Sequence, residues 1–385
     1  MALPQKVAAA LVAPVIAITT VAPATARADE PIPFPALIHI PHYPLTPVAP
    51  ATTPMPLPGK GTPLNVAYAY KGKQQTLTDF LSRSSTLSYV VLRDGKVVDE
   101  RYFSGQNASS RFNSWSVGKS ITAAALGIAL NEGKIHALTD PVTRYVPELK
   151  GTGYDGVPID AVLHMASGVK WDETNYFNIT TGATAAQLRV AFGTPMTTVA
   201  KEAVNERPPG TKWNYSSQDS FVLAWVVAKA TGRTLADYVQ EKIWKPAGMQ
   251  STLFVGKDWA GNGLGYCCYH VTSRDLARFG LLYLNKGKAN GRQVVPAGWV
   301  QDSTRVTTPY TRPAAIDQDG WGYGRQWWTG FDGDYSAIGV FGQYVYVSPR
   351  NKVVIVKTSQ DINSEENFAE VPYAFHAVAD AVGKG

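Results

Sequence analysis

Ser116 and Lys119 stand three positions apart in Asn113-Ser114-Trp115-Ser116-Val117-Gly118-Lys119-Ser120-Ile121, which runs into the helical pattern Thr122–Asn131. On a helix that spacing puts both side chains on one face, one turn apart. A serine at a helix start feels the positive end of the helix dipole, which favours negative charge on its oxygen. A lysine amine set among apolar walls or other cations sheds its proton more easily and can then accept the serine proton. The pair reads as nucleophile and base, against the plainer alternative of an N-cap serine beside a solvated lysine. Gly118-Lys119-Ser120 imitates the end of a phosphate-binding loop, but the first glycine that loop requires falls at Asn113, so nucleotide binding is rejected.

A second candidate is Tyr215 in Pro208-Pro209-Gly210-Thr211-Lys212-Trp213-Asn214-Tyr215-Ser216-Ser217, where two prolines and a glycine stiffen the approach to the helical run Phe221–Thr231. A phenol there can relay a proton where cations lower its pKa. His164 and His270 invite a Ser-His-Asp reading, but no Gly-x-Ser-x-Gly elbow exists, and buried structural histidines are expected instead. Asp172, Glu173 and Tyr176 follow the Ser167-Gly168 turn and are candidate cleft residues within reach of a substrate amine. The only two cysteines, Cys267 and Cys268, are adjacent and cannot staple distant elements. Two buried thiols are expected, because a vicinal disulfide strains its ring. No zinc-binding spacing is present, and neither metal nor cofactor is expected.

These groups need a frame, and the composition can supply one. Of the 385 residues 45% are hydrophobic and 17% charged, against roughly 25% charged in an average globular chain. Whole-chain disorder is excluded. The formal charge of +6 is spread without any run of five basic residues, which argues against nucleic-acid binding. Lys6, the apolar stretch Val7–Val21 and Ala26-Arg27-Ala28 read as a signal peptide over residues 1–28, so a periplasmic or secreted location is expected. No later segment is long and apolar enough to span a bilayer. Residues 29–64 are proline-dense and read as an arm or linker rather than a core element.

The body is assigned to residues 65–385. A helix near Gln75–Ser82 opens it, followed by Leu87–Leu92 and Val97–Tyr102 around Asp94-Gly95, a strong hairpin signal. A second hairpin pairs Gln343–Val347 with Val353–Thr358, and an amphipathic helix covers about Phe368–Val382. Strands at both ends and helical pattern over about 121–300 predict an α+β fold, its antiparallel sheet built from both chain ends, with a mostly helical inserted region.

Ser116-x-x-Lys119, Tyr215-Ser216-Ser217 and Gly339-Val340-Phe341-Gly342-Gln343-Tyr344 occur in an order and spacing that resembles the penicillin-recognising serine hydrolases, above all class C β-lactamases. Within that superfamily the chain looks most like the 6-aminohexanoate-dimer hydrolases and related carboxylesterases. Leu163–Gly168, Ser273–Gly280 and Gly322–Trp328 add to the likeness, which covers roughly residues 75 to 383. The resemblance implies a β-lactamase/transpeptidase-like fold, with Ser116 acylated, Lys119 as base and Tyr215 as proton shuttle to the leaving group. The N–H groups of Ser116 and Val340, on the Gly339-Val340 strand edge, would then form the oxyanion hole, and Tyr176, Ser217 and Gly339 would contact substrate.

Two departures bear on substrate. Ser217 stands where β-lactamases and D,D-peptidases usually carry Asn, and their Lys-Thr-Gly is replaced near Ala337-Ile338-Gly339. Those groups hold the amide and carboxylate of penicillins and peptidoglycan stems. The expected function is therefore cleavage of small esters, amides or peptide-like substrates in a cleft walled by Trp115, Trp213 and Trp327. The second reading is a β-lactamase or D,D-carboxypeptidase. The third is a non-catalytic envelope-binding or sensor protein that docks through its proline arm.

Overall fold

Asp94 and Gly95 both take positive φ, 47° and 76°, the backbone with which a two-residue turn matches the twist of the strands it joins. A computed structural model of the chain describes residues 38–39, 42–174 and 179–383. The expected signal peptide and Tyr176 lie outside these residues. In chain order the main elements are β1 (Leu45–Val48), α1 (Leu77–Arg83), β2 (Thr86–Arg93), β3 (Lys96–Tyr102), β4 (Arg111–Asn113), α2 (Val117–Asn131) and α3 (Ser217–Thr231). There follow β5 (Leu253–Gly256), β6 (Tyr269–Thr272), α4 (Ser273–Leu284), β7 (Gly322–Tyr323), β8 (Trp328–Thr329), β9 (Tyr335–Gly339), β10 (Gln343–Ser348), β11 (Val353–Ser359) and α5 (Val371–Gly383).

The expected two-ended antiparallel sheet is present. It has seven strands in the order β7-β8-β9-β10-β11-β2-β3, so the hairpin β10–β11 lies directly against the hairpin β2–β3. Both faces are buried, and the two-residue period of a strand sorts side chains between them. Val90, Leu92, Val345, Val347, Val354 and Val356 join one core with residues of α2, α3 and α4. Tyr89, Val91, Tyr344, Tyr346 and Ile355 join the other with residues of α1 and α5. Gly280 lets α4 approach closely: a Cβ there would sit 2.5 Å from Val354 Cγ1.

The proline-dense segment departs from the linker reading. β1 pairs antiparallel with β5 at the edge of a second, four-stranded sheet, β1-β5-β6-β4, and Val48 and Leu57 enter the core. An edge strand tolerates Pro47 because one side of it has no ladder to supply. Strands β5 and β6 also interrupt the helical region expected over 121–300. The adjacent cysteines correct another expectation, since Cys267 and Cys268 are joined in a disulfide instead of standing as two thiols.

Helix starts follow one chemical pattern. Thr76, Ser216, Thr234 and Thr272 each accept the N–H of an aspartate three residues on, namely Asp79, Asp219, Asp237 and Asp275. Among the described residues no helix is long and apolar enough to cross a membrane.

Asp275 carries more than its cap. Its fully buried carboxylate accepts the Gln250 and Ser251 N–H groups at 2.8 and 2.9 Å, the Thr272 hydroxyl and Arg278 Nη1, both at 3.0 Å. Removing one member of such a set strands buried polar partners and costs about 3–5 kcal/mol. Asp275→Ala is expected to lose that much in urea unfolding; a loss under about 1 kcal/mol would show that α4 is held by packing alone.

Candidate active site

The segment before α2 is tied on both sides. The Ser114 N–H donates to Tyr269 O at 2.8 Å, and the Trp115 N–H to Asn113 Oδ1 at 3.2 Å. Trp115 is held at φ 46°, a left-handed conformation that a bulky residue adopts only when its surroundings fix it. The turn delivers Ser116 to the N-cap of α2 with helical dihedrals and no side-chain capping bond. Its hydroxyl therefore serves something other than the helix.

That partner is Lys119. Its Nζ lies 2.8 Å from Ser116 Oγ and 3.0 Å from Ser217 Oγ. The lysine is 1% exposed, and burial pulls its amine down to about 8, against the opposing pull of the Glu173 carboxylate. Gly118 allows this packing, since a Cβ there would fall 2.4 Å from the Tyr269 ring. The glycine of the phosphate-loop lookalike thus serves close contact between helix and strand.

Tyr215 arrives from the approach to α3. Lys119 Nζ lies 4.6 Å from the centre of its ring, whose other neighbours are Trp213, Tyr323 and Trp328. Burial and the Glu173 charge push the phenol well above its ordinary pKa, while the nearby Ser116 hydroxyl pulls the other way. The condition attached to the relay reading, a pKa lowered by cations, is not met, and the shift favours a neutral phenol able to donate a proton.

Ser217, expected at the substrate, is 3% exposed and faces inward. It donates to Glu173 Oε1 at 2.7 Å while receiving Lys119, and its backbone N–H reaches Glu173 Oε2 at 2.6 Å. The Trp171 indole donates to the same oxygen at 2.8 Å. Glu173 does border the cleft, but its carboxylate is engaged with protein. Asp172 is bound by Thr174 and does not line the cavity.

β9 ends against Ser116. A Cβ on Gly339 would lie 2.6 Å from Ser114 O and 3.1 Å from Ser116 N, so only glycine allows the strand this close. Val340 opens the three-residue turn to β10, with Phe341 and Gly342 at positive φ. Its N–H therefore belongs to a turn beyond the strand edge on which the sequence placed it.

Ser116, Tyr215, Gly339 and Val340 border a cavity of about 330 Å³. Its apolar walls are Trp213, Trp328, Ile338, Tyr344 and Phe368. Among the described lining residues the ionisable ones are Glu173, Asp319, Glu365 and the two tyrosines, with no lysine or arginine. Of the tryptophans expected as walls, only Trp213 serves. Trp327 is sealed in the core against Phe279 and Tyr283, and Trp115 packs on Phe341. Trp328 takes the wall position, since neighbours in an extended chain point to opposite sides. His164 is buried between Asp160 O and Thr307 Oγ1, and burial pulls His270 down to about 3. Neither is hydrogen-bonded to Ser116.

The family model described as Beta-lactamase matches residues 74–379. A 6-aminohexanoate-dimer hydrolase of Paenarthrobacter ureafaciens is 33% identical over 294 residues, covering 72% of this chain and 74% of that protein. A protein of Escherichia coli K12 provisionally named D-alanyl-D-alanine carboxypeptidase is 29% identical over 144 residues, 34% of this chain and 31% of the other. Among solved structures, a Bacillus anthracis protein provisionally named 6-aminohexanoate-dimer hydrolase superposes with a TM-score of 0.79 at 25% identity, covering 89% of this chain and 92% of that one. The penicillin-binding protein homologue of Pyrococcus abyssi shares the fold at a TM-score of 0.59 and 18% identity, over 80% and 76% of the two chains. A matched stretch running from α1 into α5, together with a relative at one-third identity, establishes that the chain belongs to the β-lactamase family and is a hydrolase of it.

Proposed function

We propose that the protein cleaves esters or amides of small substrates through an acyl-enzyme on Ser116. The observation that carries this reading is the buried Lys119 amine, 2.8 Å from the Ser116 hydroxyl with its proton affinity lowered to about 8. In its neutral form Lys119 takes the Ser116 proton as Oγ attacks the substrate carbonyl. The carbonyl oxygen becomes an oxyanion, received by the N–H groups of Ser116 and Val340; one such donor contributes about 3 kcal/mol at the transition state. As the tetrahedral intermediate collapses, Tyr215 gives its proton to the departing amine or alcohol and is reprotonated from Lys119. Water then attacks the ester carbonyl, its proton leaves by the same groups, and Ser116 is restored.

The cavity supports a substrate class. Aromatic walls with carboxylates and no cation among the described lining suit neutral or cationic ends better than the carboxylate of a β-lactam or a peptidoglycan stem. One-third identity to a 6-aminohexanoate-dimer hydrolase favours linear amides among these. The partial match to the provisionally named carboxypeptidase keeps cell-wall peptides as the second reading.

A fluorophosphonate probe is expected to label Ser116 alone, and Lys119→Ala to abolish both labelling and burst-phase product release; a tryptic map placing the label elsewhere removes the proposal. For the pH dependence, Lys119 is active when neutral, so kcat/KM is expected to rise about tenfold per unit as pH climbs towards 8 and to level above it. A flat profile between pH 6 and 9 would exclude Lys119 as the base. Turnover of p-nitrophenyl esters is expected to exceed that of nitrocefin, and the opposite order would promote the cell-wall reading.

A further inference from the structure

The mechanism leaves Glu173 unused, although its carboxylate takes donors from Ser217 and Trp171, among the described residues, in a site where buried acids are costly. Oε2 accepts the Ser217 N–H at 2.6 Å and the Trp171 indole N–H at 2.8 Å, and Oε1 accepts the Ser217 hydroxyl at 2.7 Å. An ionised carboxylate accepts and never donates. The single Ser217 proton is therefore committed to Glu173, and Ser217 Oγ offers Lys119 only lone pairs. Lys119 Nζ, 3.0 Å away, must donate to it. A neutral amine that donates there has its own lone pair left for the Ser116 hydroxyl at 2.8 Å.

We propose that Glu173 is a positioning residue: by holding the Ser217 proton it makes Ser217 an acceptor and so aims the Lys119 lone pair at Ser116. This rests on the reading of Ser116 as nucleophile. The groups facing Lys119 are Ser116 on α2, the Tyr215 and Tyr266 rings at 4.6 and 6.0 Å, Ser217 on α3 and, through it, Glu173. Asp219, further along α3, is buried, bound by Tyr154, and pushed up to about 7 by burial. Of these, Glu173 is the group whose charge favours the protonated amine.

Glu173→Gln tests the direction of each hydrogen bond. The amide oxygen is required by the two N–H donors, so the NH2 falls on Ser217 Oγ. Ser217 must then turn its proton towards Lys119 and draw the lone pair away from Ser116. Ester turnover is expected to drop roughly 10–100-fold in kcat with KM little changed, the range set by a hydrogen bond to a charged group. The acidic limb of the pH profile is expected to move to lower pH, because the anion that held the amine's proton is gone. Ser217→Ala keeps that anion, so it should lower kcat without moving the limb downward, and it serves as the test if Glu173→Gln fails to fold. The double variant is expected to fall no further than Ser217→Ala alone, since both act along one chain.

A Glu173→Gln variant with wild-type kcat and limb overturns the proposal, as do losses that multiply in the double variant. Fluorophosphonate labelling of the wild-type protein separates the two failures. With Ser116 labelled and Glu173→Gln unaffected, only the positioning role falls; with Ser116 unlabelled, both readings fall.

Discussion

A lysine amine out of water is the constraint on which the site depends. Carrying an ammonium into a low-dielectric interior costs several kcal/mol unless it is paired, and the cheaper outcome is loss of the proton. Lys119 is enclosed by α2, by the Tyr215 and Tyr266 rings and by Ser217. Among the described residues, these surroundings give it hydrogen-bond partners and no direct carboxylate. The same enclosure that makes the residue expensive to fold lowers the proton affinity of its nitrogen, which suits the base role proposed for it.

Three distant segments must meet for this to hold, and each is brought in by a local device. The left-handed Trp115 turn presents the hydroxyl, the proline-stiffened approach to α3 presents the phenol, and Gly339 lets the end of β9 touch the turn before α2. Close packing continues along the helix, where a Cβ on Gly127 would strike the Trp299 ring at 2.2 Å. Such close neighbours leave α2 little room to shift, as the proposed attack by Ser116 would require.

Much of this was legible in the sequence because it is local. Asp94-Gly95 announces its hairpin, Gly232 ends α3 with φ 68°, and Ser116 and Lys119 meet because a helix brings every third and fourth residue together. What escaped depends on contacts that only the fold creates. Glu173 reaches Ser217 across 44 positions, so nothing in either local pattern marks them as partners. Trp327 and Trp328 differ only in which side of an extended segment they face, and no local pattern sets the register that would choose between them. Tyr215 read as a phenol whose relay would need cations to lower its pKa, whereas burial and the Glu173 carboxylate push that pKa up. Proline density hid β1, since prolines signal extended chain without saying whether a strand edge waits nearby.

The placement of β11 beside β2 has a consequence for how the molecule is made. Val91 pairs with Ile355, residues from opposite ends of the polypeptide, in the interior of the sheet and not at its rim. While the chain is emerging from a ribosome, the hairpin β2–β3 must wait with two apolar faces and one open edge until β11, far along the chain, has been synthesised. Such long-range closure is slow and leaves sticky surface uncovered in the meantime. Losing the final few dozen residues would consequently split the sheet down its middle, whereas trimming β3 would only narrow it.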